Sequence, residues 1–379
     1  SGAYTVNSSE MVGGLGIQSE HIAFISFVTS IGMAAFSPFF YSLVSVRRQK
    51  MMSLVGFSLL AVQSYICANT DSLFILALNS LVMGFVRQTL LMCNLFTLIK
   101  YGFGIEATRN VTPGNEPMDE KGWDALDTEK KASQPIIYFF FMLLGQIGTW
   151  ITAWFAYNYH WQMVYYAMLG AILVALLITL VCMPYNPYPT KHSPLSFSKF
   201  GNVVVFCLMC CSFVYVTVYG KVYDWYDSPN IRWATVICVV SSLLFFYLEK
   251  TRRSPYFMLK AFKSRSIQGG ILLFIGLMIC NSSSMLVNIF VGVGMKTDQM
   301  QVAVLGNWVL LGYFIGLVTI LILNSKGVHF KWFFALGFLL IGAASLFMYF
   351  EVQTDGMLER MKWPIVIRAT GMMLLYSLI

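Results

Sequence analysis

Charged residues are scarce in this chain of 379 residues, since Asp, Glu, Lys and Arg together make up only 11% of it. Ordinary soluble domains carry about 25%. Histidine is rarer still, with four residues, and the sequence contains no His-rich cluster, no paired acids within an apolar run and no nucleophile–base arrangement. The usual signals of an enzyme or a metal site are therefore missing, and we expect no catalytic residue, no cofactor and no metal ion.

Long apolar runs take the place of the missing charges, because hydrophobic residues make up 58% of the chain. Runs of about 17–25 apolar residues can cross a bilayer as helices, and these runs lack the period-2 alternation of barrel strands. Eleven spans are predicted after a partial apolar segment at 1–16, and they lie near 22–46, 51–68, 72–99, 135–157, 163–183, 202–219, 233–248, 268–291, 302–324, 332–350 and 364–379. The sequence therefore predicts an all-α, multi-pass membrane protein.

The loops between the predicted spans divide into two sets that differ in positive charge. One set holds 18 Lys and Arg residues and the other holds five. Because Lys and Arg in short loops mark the cytoplasmic side, the set with 18 is predicted to be cytoplasmic. The net charge of +8 then follows from membrane topology and from attraction to anionic lipids. It gives no reason to expect a nucleic-acid partner.

The sequence repeats part of itself after 281 residues. RRQKMMSLVGFSLL (47–60) matches GVHFKWFFALGFLLI (327–341), and VRQTLLM (86–92) matches IRATGMM (367–373) at the same offset. Both Lys-bearing loops lie on the predicted cytoplasmic side, so the two halves are predicted to be parallel repeats. The matched pairs include Lys50 with Lys331, Gly56 with Gly337, Arg87 with Arg368 and Thr89 with Thr370.

Arg87 and Arg368 are the two cations that fall inside predicted spans. An arginine near the centre of a bilayer costs about 2.5–3.5 kcal/mol on insertion scales, and such residues are usually functional. Two interpretations are open at this stage. The two arginines line a central cavity between the halves, or each forms a structural bond to a neighbouring helix of its own half.

Two stretches of the repeat resemble motifs of a known transporter family. SVRRQKMM, with its basic cluster of Arg47, Arg48 and Lys50, stands where that family has a basic loop between its second and third helices. GFVRQT is similar to the family's fourth-helix arginine motif, with Arg87 on the motif arginine.

Further along, NYHWQMVYY (158–166) is similar to the short external turn and Trp that open the family's sixth helix. YDWYDSPNIRW (223–233) and the basic stretch 249–266 resemble the link that leads through two extra central helices into the second half. On these motifs, which extend over nearly all of the chain, the sequence resembles the major facilitator superfamily in its fourteen-helix drug:proton antiporter branch.

This resemblance implies a two-bundle transporter with parallel repeats and two extra central helices. The expected parts are an N-terminal bundle (1–200) with a cytoplasmic insertion (100–133), the extra helices with a basic linker (201–266), and a truncated C-terminal bundle (267–379). We expect the chain to be a fragment that lacks both ends, with an incomplete first helix.

The same resemblance implies proton-coupled efflux of small organic or drug-like molecules across a cell inner (cytoplasmic) membrane. We expect a monomer in a lipid bilayer, with a small-molecule substrate and protons as the coupling ion. Gln146 stands where the family's helix-five antiporter signature has a proline, and the basic loop lacks the family's acid and glycines. Two alternatives therefore stay open: uptake or exchange of an anionic metabolite, and a transport-dead sensor or scaffold.

Uncharged polar residues inside the spans are candidates for a substrate cavity. Asn281, Ser284 and Asn288 follow the spacing i, i+3, i+7, which puts them on one helical face. The alternative role for each candidate is an interhelical hydrogen bond, worth roughly 0.6–2 kcal/mol. The predicted cavity residues are Arg87, Arg368, Gln88, Asn94, Gln146, Asn281, Ser284, Asn288, Tyr4 and Asn7.

A proton-coupled carrier usually needs an acid within the membrane. No Asp or Glu lies well inside any predicted span, so the coupling candidate is Glu10 in the partial first segment, with an ordinary external loop acid as the alternative. The two matched basic loops are predicted to form the gate of the transporter. Their predicted gating residues are Arg47, Arg48, Lys50 and Lys331.

The insertion 100–133 carries seven acids, whereas the connector 249–266 is strongly basic. Because their charges are opposite in sign, we expect the insertion, with a short helix at 116–133, to dock on the connector. An amine-to-carboxyl crosslinker applied to native membranes should therefore join the two segments, as read by mass spectrometry. Absence of any crosslink between them would count against docking.

Overall fold

The computed structural model describes residues 18–36, 49–102, 120–183, 197–251, 262–289, 299–353 and 359–376, together with Gly16 and Phe39. Within these residues the chain is helical apart from short turns, and no strand occurs there. The helices follow the apolar runs, as expected where the backbone must satisfy its own hydrogen bonds in lipid.

The described part of the chain forms twelve α-helices. They are α1 (Ser19–Ala35), α2 (Gln49–Asn69), α3 (Leu73–Gly102), α4 (Glu120–Asn158), α5 (Trp161–Cys182), α6 (Phe197–Tyr219), α7 (Pro229–Thr251), α8 (Arg265–Ile289), α9 (Gln299–Gly306), α10 (Trp308–Ser325), α11 (Phe330–Gln353) and α12 (Lys362–Tyr376). A short 3-10 turn, Trp225–Asp227, leads into α7.

Eight segments of the described residues are long enough and apolar enough to span a membrane, and one of them combines α9 and α10. Two shorter apolar helical stretches, Ser19–Ala35 and Ile267–Ser282, cover parts of two further predicted spans. The prediction of an all-α, multi-pass membrane protein is therefore confirmed.

One helix differs from its prediction in length. α4 begins at Glu120 and continues past Pro135 to Asn158, 39 residues in all. The sequence predicts a short separate helix at 116–133, whereas the structure joins residues 120–133 to the membrane helix as its first turns. Proline lacks the N–H of a helical hydrogen bond, and Pro135 stands where the apolar part of α4 begins. The polar turns and the membrane span therefore form one continuous helix.

The helices divide into two compact units. Unit 1 contains α1, α2, α3, α5, α6 and α7, and unit 2 contains α4 and α8 to α12. Each unit thus draws on separate stretches of the chain, and α4 belongs to the unit built from the later helices. The domain boundaries predicted near residues 200 and 266 rest on the sequence and stay a prediction.

In unit 1, α3 packs against both α1 and α2, and α2 packs against α5. A buried cluster joins these four helices through Ile25, Cys67, Leu76 and Tyr165. α6 pairs with α7 and lies against α1, where the Nδ1 atom of His21 shares a hydrogen bond with a tyrosine hydroxyl of α6. α6 and α7 are therefore attached to the other helices of unit 1 through α1.

In unit 2, α12 packs against both α10 and α11. One buried cluster contains Ile320 of α10 and Phe333 of α11, and a second adds α8 through Leu277. α4 joins the unit by an edge-to-face contact between the rings of Phe139 and Phe314, whose centroids lie 6.3 Å apart. α12 is thus the most enclosed helix of this unit.

α1 and α3 cross at glycines. A Cβ atom on Gly32 would collide with the carbonyl oxygen of Leu81, and one on Gly84 would collide with that of Thr29. The missing side chains let the two backbones touch, as small residues do in closely packed membrane helices. The crossing therefore admits no larger residue at either glycine.

α10 and α12 cross in the same manner. A Cβ atom on Gly312 would collide with the carbonyl oxygen of Val366, and one on Gly316 would lie 2.6 Å from Cβ of Met373. The offset of the sequence repeat relates α1 to α9 and α10, α2 to α11, and α3 to α12. In both units the third of these elements packs against the other two. The repeat predicted from the sequence thus recurs as helix packing within each unit.

Replacing Gly84 by Ala should destabilise the protein, because the added methyl group has no room beside the carbonyl of Thr29. Overpacking of this kind costs about 1–3 kcal/mol. Gly170 on α5 is the matched control, since a Cβ atom there meets nothing within 4 Å, and Gly170→Ala should leave stability unchanged or slightly higher. Thermal unfolding of both purified variants in detergent measures the difference, and equal midpoints would contradict the close crossing.

Candidate functional site

Arg368 lies on α12 and is half-buried in unit 2. Its Nη2 atom donates to two backbone carbonyl oxygens of α8, that of Cys280 at 3.3 Å and that of Asn281 at 3.0 Å. Its Nε atom is buried and has no hydrogen-bond partner among the described residues. Arg368 thus forms the bond to a neighbouring helix that one interpretation of the sequence required, and its role in a cavity stays a prediction.

Two tyrosines stand close to this guanidinium group. Tyr313 on α10 and Tyr376 on α12 pack, together with Cys280, against a buried apolar cluster of α8, α11 and α12. The carbonyl oxygen of Cys280 is one of the two that accept from Arg368. We call Arg368, Tyr313 and Tyr376 the arginine–tyrosine site. It combines a fixed positive charge and two hydroxyl groups with an apolar wall.

Thr370 fixes the helix that presents Arg368. Its buried hydroxyl donates to the carbonyl oxygens of Gly312 at 3.1 Å and Val366 at 2.9 Å, and the single hydroxyl hydrogen is shared between them. The first acceptor lies on α10 and the second on α12 itself. This bond and the glycine crossing hold α12 against α10, so the position of Arg368 is set by the packing of its helix.

Arg87, the match of Arg368 in the repeat, has a different environment. It lies on α3 of unit 1, whereas Arg368 lies on α12 of unit 2. Gln88 and Asn94, on the same helix as Arg87, are half-buried. The two arginines therefore share a place in the repeat, and neighbouring atoms enclose a large part of both side chains. That Arg87, Gln88 and Asn94 line a cavity stays a prediction.

Gln146 on α4 forms a hydrogen bond at the break between α9 and α10. Its Nε2 atom donates to Oδ1 of Asn307, the single residue that separates the two helices, over 3.4 Å. Gly306 permits this approach, since a Cβ atom there would lie 3.2 Å from Nε2. The sequence predicted a role for Gln146 but not for Asn307. A Gly–Asn pair inside an apolar run was the available signal, because both residues disfavour a helix interior.

α8 carries the predicted face of Asn281, Ser284 and Asn288. Asn281 is exposed, and the contact with Arg368 is made by its backbone carbonyl. The side chains of Ser284 and Asn288 lie outside what the structure describes. Their place on one helical face follows from the helix that contains all three residues, and their role in substrate binding stays a prediction.

Of the predicted gating residues, Lys50 and Lys331 are described. The Nζ atom of Lys50 donates to the carbonyl oxygen of Leu180 at 2.7 Å, so a cation stands at the C-terminal end of α5, where the helix dipole favours it. Lys331 is exposed. Other predicted residues lie outside the described part of the chain, namely Tyr4, Asn7, Glu10, Arg47 and Arg48.

Glu249 is a buried acid that lies outside every span predicted from the sequence. The predicted span ended at residue 248, whereas α7 runs to Thr251. Ser241, Phe245 and Glu249 are all buried and follow one another at a spacing of four residues. This spacing was the signal that could have identified Glu249, because it extends the buried face of the helix by one turn.

The cysteines of α6 and α7 form a loose group. Cys238 on α7 has its sulfur 3.8 Å from the carbonyl oxygen of Met209 on α6, beside Cys210. No disulfide joins the eight cysteines of the chain, all of which lie on described helices. Within the residues that the structure covers, no group of three or more His, Cys, Asp or Glu side chains could hold a metal ion.

The helices define the class of the molecule as an all-α, multi-pass membrane protein. Its sequence is similar to that of the colistin resistance protein EmrB of Acinetobacter baumannii. The two are 24% identical over 140 residues, which make up 36% of this chain and 27% of the length of that relative. No family profile matches the chain.

The bond between Gln146 and Asn307 should appear in a double-mutant cycle of Gln146→Leu and Asn307→Leu. Side-chain hydrogen bonds between membrane helices average about 0.6 kcal/mol in such cycles, and we expect a coupling energy of that order from unfolding in detergent. Gln146→Leu with Thr319→Val is the control, since Thr319 lies about 18 Å along α10 from Asn307 and distant sites add. Equal coupling in both cycles would argue against the bond.

Proposed function

We propose that this protein is a secondary active transporter that exports small organic molecules across a bacterial inner membrane in exchange for protons. The observation that carries the proposal is Arg368, an arginine in an apolar helix that is seated on carbonyls of a second helix. Ionisable residues in such positions mark substrate and ion pathways. Repeated helix bundles, as found here in the packing of α1–α3 and α10–α12, are typical of secondary transporters.

Similarity to a resistance protein supports export of drug-like molecules. The relative from Acinetobacter baumannii is named for resistance to colistin, and removal from the cell is one way to resist a toxic compound. The resemblance of the basic loop and the Arg87 motif to the drug:proton antiporter branch favours the same direction of transport. We propose a monomer that carries a small molecule and protons through these bundles.

Proton coupling needs a group that gains and loses a proton during the cycle. Glu249 is an acid that α7 buries in unit 1, and Glu10 is the candidate from the sequence. We assign the coupling role first to Glu249, because a buried acid on a membrane helix is the kind of residue that marks proton pathways in transporters.

Uptake or exchange of an anionic metabolite is the second candidate function. The observation that favours it is the buried Nε atom of Arg368, which has no hydrogen-bond partner among the described residues. An arginine stays protonated at all relevant pH values, so an anionic solute would be attracted to it. The two candidates differ in the charge of the solute and in the direction of its movement.

In proteoliposomes with an imposed pH gradient, the protein should move a fluorescent drug-like dye against the flow of protons. Glu249→Gln should remove the effect of the gradient, because an amide cannot carry a proton, while exchange of dye between equal pools continues. Glu359→Gln is the control, since the side chain of Glu359 is exposed, and it should behave like the unaltered protein. Dye flux with and without the gradient is the measurement.

Three outcomes of this experiment would change the assignment. Movement of no solute under any gradient would contradict transport and favour a sensor or scaffold. A full response to the gradient in Glu249→Gln would remove Glu249 and leave Glu10 as the coupling acid. Inward movement of an anionic metabolite, with no movement of the dye, would select the second candidate function.

A further inference from the structure

We infer that the arginine–tyrosine site binds the carboxylate group of an amphipathic organic solute. This inference rests on the proposed transport function and names the chemical class of the substrate. It places the charged end of the solute on Arg368 and the hydroxyls of Tyr313 and Tyr376, and its apolar part against the cluster that surrounds them.

The hydrogen-bond donors of Arg368 are only partly used. A guanidinium group carries five N–H donors, and both contacts with α8 are made by one atom, Nη2. The Nε atom is buried without a partner in the part of the chain that the structure describes. No ion pair of Arg368 with a described Asp or Glu occurs, although Lys362 at the start of the same helix pairs with Glu359 at 3.2 Å. The site therefore retains both an open donor and an uncompensated charge.

The carbonyl contacts orient the guanidinium group without neutralising it. Backbone carbonyls are dipoles, whereas a carboxylate supplies a full negative charge and two acceptor oxygens that suit the planar fork of arginine. One oxygen can accept from Nη1, which neither contact with α8 uses. The α8 carbonyls hold the group in place beforehand, so little side-chain freedom is lost when the solute binds.

The two tyrosines complete the polar end of the site. A tyrosine hydroxyl can donate to the second carboxylate oxygen, and the two come from different helices, α10 and α12. Leu277, Ile341 and Met372 form the apolar wall beside them. Arg368 itself is half-buried, so a solute can reach it from the open side. A charge, two hydroxyls and an apolar wall fit an amphipathic carboxylate better than a cation or a sugar.

A matched pair of probes tests the inference: a rhodamine dye with a free carboxylate and its methyl ester. Binding of each to the purified full chain in detergent is measured by fluorescence polarisation. Arg368→Gln should weaken binding of the carboxylate about tenfold to a hundredfold, as expected for loss of a charge-assisted hydrogen bond, and leave that of the ester unchanged. Arg368→Lys should restore part of the loss, and Arg360→Gln, at an exposed position, should have no effect.

Equal affinity of the unaltered protein for the acid and the ester would overturn the inference. Equal weakening of both probes by Arg368→Gln would overturn it too, because that pattern is expected of a purely structural arginine. Gel filtration shows whether the variant is folded. Should it aggregate, Tyr313→Phe takes its place, and it should weaken binding of the acid but not of the ester.

A phospholipid headgroup offers the same oxyanion chemistry, and nanodiscs separate the two sources. Binding of the acid should be similar in phosphatidylcholine and in phosphatidylglycerol. Loss of binding in phosphatidylglycerol alone, with Arg368→Gln removing the difference, would assign the site to a lipid and overturn the inference. Binding is measured without transport, so selective binding of the acid by a protein that moves no solute would end the transport proposal and leave the site in place.

Discussion

Close contact between helix backbones is the interaction on which the rest of this structure depends. In lipid there is no hydrophobic force between helices, so their association relies on tight packing and on polar bonds between them. Gly32 and Gly84 give α1 and α3 that contact, and Gly312 and Gly316 give it to α10 and α12. Because α12 is held in this way, the backbone of Arg368 has a fixed position, and its side chain contacts the carbonyl oxygens of α8.

The arginine–tyrosine site depends on this packing of α12. A charge in an apolar helix is tolerated when neighbouring helices supply polar groups, and α8 supplies two carbonyl oxygens in consecutive residues. The same contacts leave the guanidinium group oriented but still charged. Structural anchoring and solute binding are therefore compatible uses of one side chain, since different N–H groups serve each of them.

The sequence predicted the helical class, the multi-pass topology and the repeat, because each depends on long apolar runs and on residue spacing. It could not identify the partners of Arg368, because the carbonyl oxygens that it contacts belong to α8, a helix more than 80 residues away in sequence. Glu249 was missed because the end of a span was judged from hydrophobicity, whereas α7 continues for one more buried turn. Asn307 was not predicted because its hydrogen-bond partner, Gln146, is distant in sequence.

The interruption at Asn307 gives unit 2 a span made of two pieces. α9, with eight residues, is about 12 Å long, and it is joined to α10 by one residue alone. The glycine crossing with α12 begins farther along α10, at Gly312. About a third of this span therefore lies outside the glycine crossing, and the amide of Gln146 supplies a polar contact from α4 at the point where that part begins.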